Sequence, residues 1–115
     1  MADGQEVPRE FDVFFSEAAQ AEIEAAYFRL MAATSLEFAD RWQDSLVTAI
    51  RGLKLFPRSH PLHRKADASG PEVRRLLHKL GRVAYQVIYS LADADDDGEL
   101  DTVYVLHVRH AAEEG

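Results

Sequence analysis

The chain has 115 residues, of which 47% are apolar and 29% charged; this length supports one domain with a single core, and the composition excludes disordered and fibrous classes. The absence of cysteine excludes disulfides, thiolate zinc sites and Cys nucleophiles, leaving histidine and carboxylates for any metal or acid–base chemistry. No apolar run of about 18 residues is present to span a bilayer, and the acidic start "MADGQEVPRE" is unlike a secretory signal, so a cytoplasmic single domain over 1–115 with a flexible tail over 1–9 is expected.

The net charge of -7 conceals an uneven distribution. Residues 51 to 82 hold nine Lys or Arg against two acids, a surplus of +7, and the remainder carries -14. A basic stripe in an acidic body attracts phosphates or an acidic partner peptide, although a solvated basic surface is equally ordinary.

Taken in chain order, "EFDVFF" places Phe11, Val13 and Phe15 on one side of a first strand. Ser16 is placed to cap a helix over 17–33, in which Ile23, Tyr27, Leu30 and Met31 recur at helical spacing. Thr34 and Glu37 fit a capping box for a second helix striped by Phe38, Trp42, Leu46, Ala49, Ile50 and Leu53. The near absence of a loop between them predicts an antiparallel helical hairpin that needs a sheet to cover its apolar stripe. Pro57 and Pro61 end the second helix in a loop over 57–71. "VRRLLHKL" and "VAYQVIYSL" then read as neighbouring strands joined near Gly81, and "TVYVLHV" over 102–108 as another. The expected fold class is α+β: a strand, the hairpin, then a three-stranded antiparallel meander in a small twisted sheet, antiparallel or mixed overall.

Three short motifs invite chemistry. "DADDDGELD" spaces Asp93, Asp95, Asp97 and Gly98 as a calcium loop does, but Tyr104 stands where the bidentate Glu belongs, and a solvated acidic turn explains the same residues. "HVRH" holds His107 and His110 three apart, a spacing that separates faces on a strand, so they cannot share a metal unless the strand breaks by Arg109. His110, beyond the predicted strand end, fits a general acid or base, against the plainer reading of a surface histidine. The loop histidines of "HPLHR" suit phosphate contact or mere surface. There is no P-loop, dinucleotide fingerprint or Ser/His/Asp arrangement, and neither a cofactor nor a metal is expected.

The ordered set "FFSEAAQAEIEAAYFRL", "FADRWQDSLVTAIRGLKLFPRSHP", "VRRLLHKLGRVAYQVIYSL" and "VYVLHVRHAA" resembles the RelE/ParE superfamily of type II toxin–antitoxin toxins, the plasmid stabilisation proteins of bacteria, over about residues 11–112. The resemblance implies a cognate antitoxin, no membrane, homodimerisation as an open option, and one of two activities. The first, the expected activity, is ribosome-associated mRNA cleavage, as an mRNA interferase, in which cations stabilise the transition state while a base and an acid move protons. The second is gyrase inhibition, or a degenerate antitoxin-binding module, both of which are binding events. By resemblance Arg74 and His110 are the candidate catalytic residues. Lys54, Arg64, Lys65, Arg75, Lys79, Arg82 and Arg109 are the candidate groove for nucleic acid or antitoxin, expected on the concave side of the sheet. Against cleavage, "AAEEG" supplies acids where relatives often continue with Arg or Tyr.

Overall fold

A computed structural model describes residues 10–63 and 71–113. The expected tail over 1–9 lies outside the described residues, as do Arg64 and Lys65. The elements run β1 (Asp12–Phe15), α1 (Glu17–Ala33), α2 (Leu36–Arg51), a 3-10 turn (Gly52–Lys54), β2 (Glu72–Leu80), β3 (Val83–Ala92), β4 (Thr102–His110) and a closing 3-10 turn (Ala111–Glu113). Ser16 caps α1 as predicted, its Oγ accepting from the Ala19 amide at 2.9 Å. The cap of α2 is Ser35, accepting from the Phe38 amide at 3.1 Å. Thr34 instead closes α1, donating its amide and hydroxyl to the Leu30 carbonyl at 2.8 and 2.7 Å. One residue thus ends the first helix and the next starts the second, which forces the hairpin.

The strands form one sheet in the order β1-β4-β3-β2. The meander β2-β3-β4 is antiparallel as predicted, with Gly81 at φ 60° in its first turn, a left-handed conformation that favours glycine. β1 pairs parallel with β4, Asp12 opposite Thr102 through Phe15 opposite Val105, so the sheet is mixed rather than purely antiparallel. The hairpin carries the chain across before it returns through the meander, which is how a first strand comes to lie parallel beside the last.

Both helices cover one face. Trp42, Leu46 and Ile50 of α2 and Ala19, Ala26 and Leu30 of α1 meet Leu76, Val87, Tyr89, Val103 and Val105 in a single core. Trp42 is wholly buried, its ring 5.0 Å from that of Tyr85. Among the described residues no helix covers the other face of the sheet, the open face.

Candidate functional site

Strand register decides which bases share a face, because cross-strand partners point the same way. On the helix-covered face one rung joins Arg74, Tyr89 and Val105, the next Leu76, Val87 and Val108, and the next His78, Tyr85 and His110. On the open face one rung joins Arg75, Ile88 and His107, and the next Leu77, Gln86 and Arg109. A bulge at Leu106, opposite the Ile88/Tyr89 step, keeps both sets in phase.

Arg74 and His110 therefore share the covered face but lie two strands and four residues apart, about 16 Å by standard strand spacings. Arg74 is engaged where it stands. Its Nε donates to Glu72 Oε2 at 2.7 Å and its Nη1 to the His60 carbonyl at 2.6 Å, with 16% of the side chain exposed. Arg58, which sequence reasoning passed over, forks onto the same carboxylate with bonds of 3.0 Å. These cations, Arg58 first and Arg74 after it, hold the Glu72 carboxyl below its ordinary range against the opposing effect of burial. Beside them the Tyr89 hydroxyl donates to the Pro57 carbonyl at 2.6 Å, and burial pushes its pKa up to about 12. Together these bonds fasten the loop of residues 57–63 to β2 and β3.

His110 is the last residue of β4 rather than a residue beyond it, and its ring meets Tyr85 edge-on at 5.2 Å. The strand runs unbroken through Arg109, so His107 and His110 point to opposite faces, and the shared metal site that a break would allow does not form. Near this end β4 has lost β1 on its outer side and keeps only β3. The chain leaves β1 at Ser16, whose amide and hydroxyl take the carbonyls of Val105 and Leu106, each at 2.9 Å. Glu22 of α1 covers the next edge donor: its Oε1 accepts from the Val108 amide at 2.8 Å, while His107 Nδ1 stands 3.3 Å and Arg109 Nε 3.8 Å from its Oε2. Glu22, Arg29, Arg109 and His110 line a small polar cavity of about 170 Å³, and Arg29 also donates to the Tyr85 hydroxyl at 3.0 Å. No signal in the sequence marked Glu22 or Arg29, which sit among ordinary polar helix residues.

The expected groove of bases is not one surface. Arg75 and Lys79 point to the open face of β2, Arg82 lies in the adjoining turn, and Arg109 reaches the open face from β4. Lys54 lies after α2 with its carbonyl on the Phe11 amide, at the opposite edge of the sheet. On the open face His60, Pro61, Arg75, Leu77 and Gln86 line a groove of about 340 Å³. Burial lowers the His60 pKa, and Gln86 Oε1 is buried without a donor among the described residues. On the other side of the sheet Val13, Phe15, Ile23 and Val47 form the apolar part of a groove of about 520 Å³ between β1 and the hairpin, with Gln20, Glu24, Gln43 and Arg51 along its polar side.

In the acidic turn, carboxylate oxygens of Asp93, Asp97 and Asp101 lie within 4.8 Å of one another. They are occupied by the turn itself: Asp93 accepts from the amides of Asp97 and Gly98, and Asp101 from those of Ala94 and Asp95 and from the Thr102 hydroxyl. Thr102 foremost keeps the Asp101 carboxyl below its ordinary pKa. Strands flank this turn, not the helices of a calcium hand.

A family model described as the ParE toxin of the type II toxin–antitoxin system, parDE, matches residues 13–115. The chain belongs to this family. It is a ParE toxin of the RelE/ParE superfamily, and a toxin of this kind has a cognate antitoxin as its partner. A solved structure from P. aeruginosa, described as a chromosomal ParDE TA system, resembles this ParE chain with a TM-score of 0.65 at 16% identity, covering 89% of this chain and 97% of that one. At that identity the likeness concerns the fold. A search of curated proteins gives no match. Among the described residues of this ParE toxin no helix is long and apolar enough to cross a membrane.

Proposed function

We propose that this ParE toxin arrests growth by holding a protein target, DNA gyrase, rather than by cutting messenger RNA. The observation that carries this reading is the placement of Arg74 and His110. The arginine is committed to Glu72 and the His60 carbonyl, and the histidine stands two rungs away against Tyr85. A phosphodiester cleavage needs cation, base and acid around one phosphate, within hydrogen-bond reach of the reacting atoms. The surface left for a target is the open face, where Arg75, Leu77 and Arg109 are exposed. The apolar groove between β1 and the hairpin suits an amphipathic segment of the antitoxin, whose hydrophobic side chains would cover Val13, Phe15 and Val47.

Ribosome-associated mRNA cleavage is the second reading. It is favoured by His107, Arg109 and Arg75 on neighbouring rungs of the open face, a histidine and two cations on one surface. Purified toxin added to a gyrase supercoiling reaction, and in parallel to ribosomes translating a defined messenger, separates the two. Loss of supercoiling with intact messenger supports gyrase binding; a cut messenger with normal supercoiling overturns it.

A further inference from the structure

One edge of the sheet is half closed. The residues of β2 that point their backbone groups away from β3 are the odd-numbered ones, as the register with β3 and the outward bonds of Val73 and Arg75 require. The loop pairs with the first part of that edge: the His63 amide donates to the Val73 carbonyl at 2.7 Å, the Arg75 amide to the Pro61 carbonyl at 3.0 Å, and Leu62 bridges Arg74. There the pairing stops, because proline has no amide to return to the Arg75 carbonyl. That carbonyl and the outward amides and carbonyls of Leu77 and Lys79 have no partner among the described residues.

The side chains along the unpaired stretch are distinctive. Arg75, Leu77 and Lys79 alternate on the open face, so an exposed apolar residue, 53% accessible, stands between two cations. The groove of the loop opens beside Arg75 and Leu77 and is lined by Gln86, whose side-chain oxygen is buried beneath it without a donor among the described residues. Two separate deficits thus fall at one place: a run of backbone groups without a strand, and a buried acceptor without a donor.

We propose that the edge of β2 from Arg75 to Lys79 receives an extended acidic segment of the toxin's protein target, which adds as a strand beyond Leu77. This rests on the reading of the toxin as a binder of a protein target. The segment pairs at Leu77 and Lys79 and turns away before Pro61, which already holds the Arg75 amide; it has an acid beside Lys79 and another, past the paired stretch, within reach of the Arg75 side chain. Between them is a side chain with an N–H or O–H that enters the groove and donates to Gln86 once the amide turns outward. Backbone bonds supply affinity and the alternate side chains supply specificity. A second copy of this chain is a poor occupant, because antiparallel pairing centred on Leu77 sets Arg75 against Lys79 at both ends, like charges directly opposed.

The test uses the full-length toxin and two synthetic heptapeptides of alternating Val, one with Glu, Asn, Glu at its even positions and one with Lys, Asn, Lys. The expected result is binding of the acidic peptide alone, with slowed amide exchange at Leu77 and Lys79. The Arg75→Glu/Lys79→Glu variant should reverse the preference, each peptide's affinity changing at least tenfold. Leu77→Pro, which removes an outward amide and leaves the ladder to β3 intact, should weaken binding of the acidic peptide. Equal binding of both peptides, binding of neither, protection confined to another surface, or displacement by single-stranded RNA without an effect at Leu77 and Lys79 overturns the proposal. The assay contains no gyrase, so failure of the gyrase reading would leave its result unchanged, and the two fail separately.

Discussion

Replacing Arg74 with alanine separates a structural arginine from a catalytic one. Arg74→Ala removes the 2.7 Å bond to Glu72 and the 2.6 Å bond to the His60 carbonyl. A charge-assisted bond of this kind contributes about 1.5 to 3 kcal/mol and a bond to a carbonyl about 1 kcal/mol. Glu72 keeps the Arg58 fork and water reaches the half-exposed loop, so the net loss is about 2 to 3 kcal/mol. For a domain of this size that lowers the melting temperature by about 8 to 12 °C. Arg58→Ala removes a two-bonded fork whose arginine side is 55% exposed and screened by solvent, and costs about 1 kcal/mol or less. The cations depress the Glu72 carboxyl from an ordinary value of 4.5, so their stabilisation is present above that pH and is lost as pH falls through the lower folded value. The gap in melting temperature between the wild type and Arg74→Ala should therefore narrow in acid. Calorimetry from pH 3 to pH 7 measures it. An Arg74→Ala protein that melts with the wild type at every pH yet no longer arrests growth would refute the structural role and return Arg74 to catalysis.

Burial lowers the His78 pKa from 6.5, so the folded state gives up stability as pH falls below that value, and His78→Asn should flatten the stability profile on the acid side of it. Trp42→Ala empties a fully buried site and should cost about 3 to 5 kcal/mol in urea unfolding. Glu22→Ala leaves the Val108 amide without its acceptor, which should speed exchange at Val108 and destabilise the chain by about 1 to 2 kcal/mol. Millimolar calcium should leave the melting temperature unchanged, because the oxygens of Asp93 and Asp101 are held by the turn; a rise on titration would show a cation site there.

Local signals carried most of the fold. Both helices, the turn at Gly81 and the meander follow from periodicity and breakers, since each depends on neighbours in sequence. The parallel pairing of β1 with β4 joins residues about ninety positions apart, and no pattern within β1 shows it. Thr34 and Ser35 are both competent caps, and the spacing to Glu37 favoured the first; the bonds to Leu30 show why Thr34 was already in use. The face of Arg74 was ambiguous because Leu76 and Leu77 make both phases of β2 look apolar; burial of Leu76 and exposure of Leu77 decide it. Arg109 and His110 break the apolar run, so periodicity alone ends the strand before them, whereas pairing with Tyr85 and Gln86 extends β4 across both. Glu22 carried no signal, since its role depends on where β1 ends.

The most direct test of the account is induced expression of the chain in a bacterial host, alone and with its antitoxin, scoring growth, transcript ends and plasmid supercoiling in the same culture. The account predicts arrest with intact transcripts and altered supercoiling, relieved by the antitoxin and retained in His110→Ala. Transcripts cut within translated codons, with both cutting and arrest lost in His110→Ala, would contradict it.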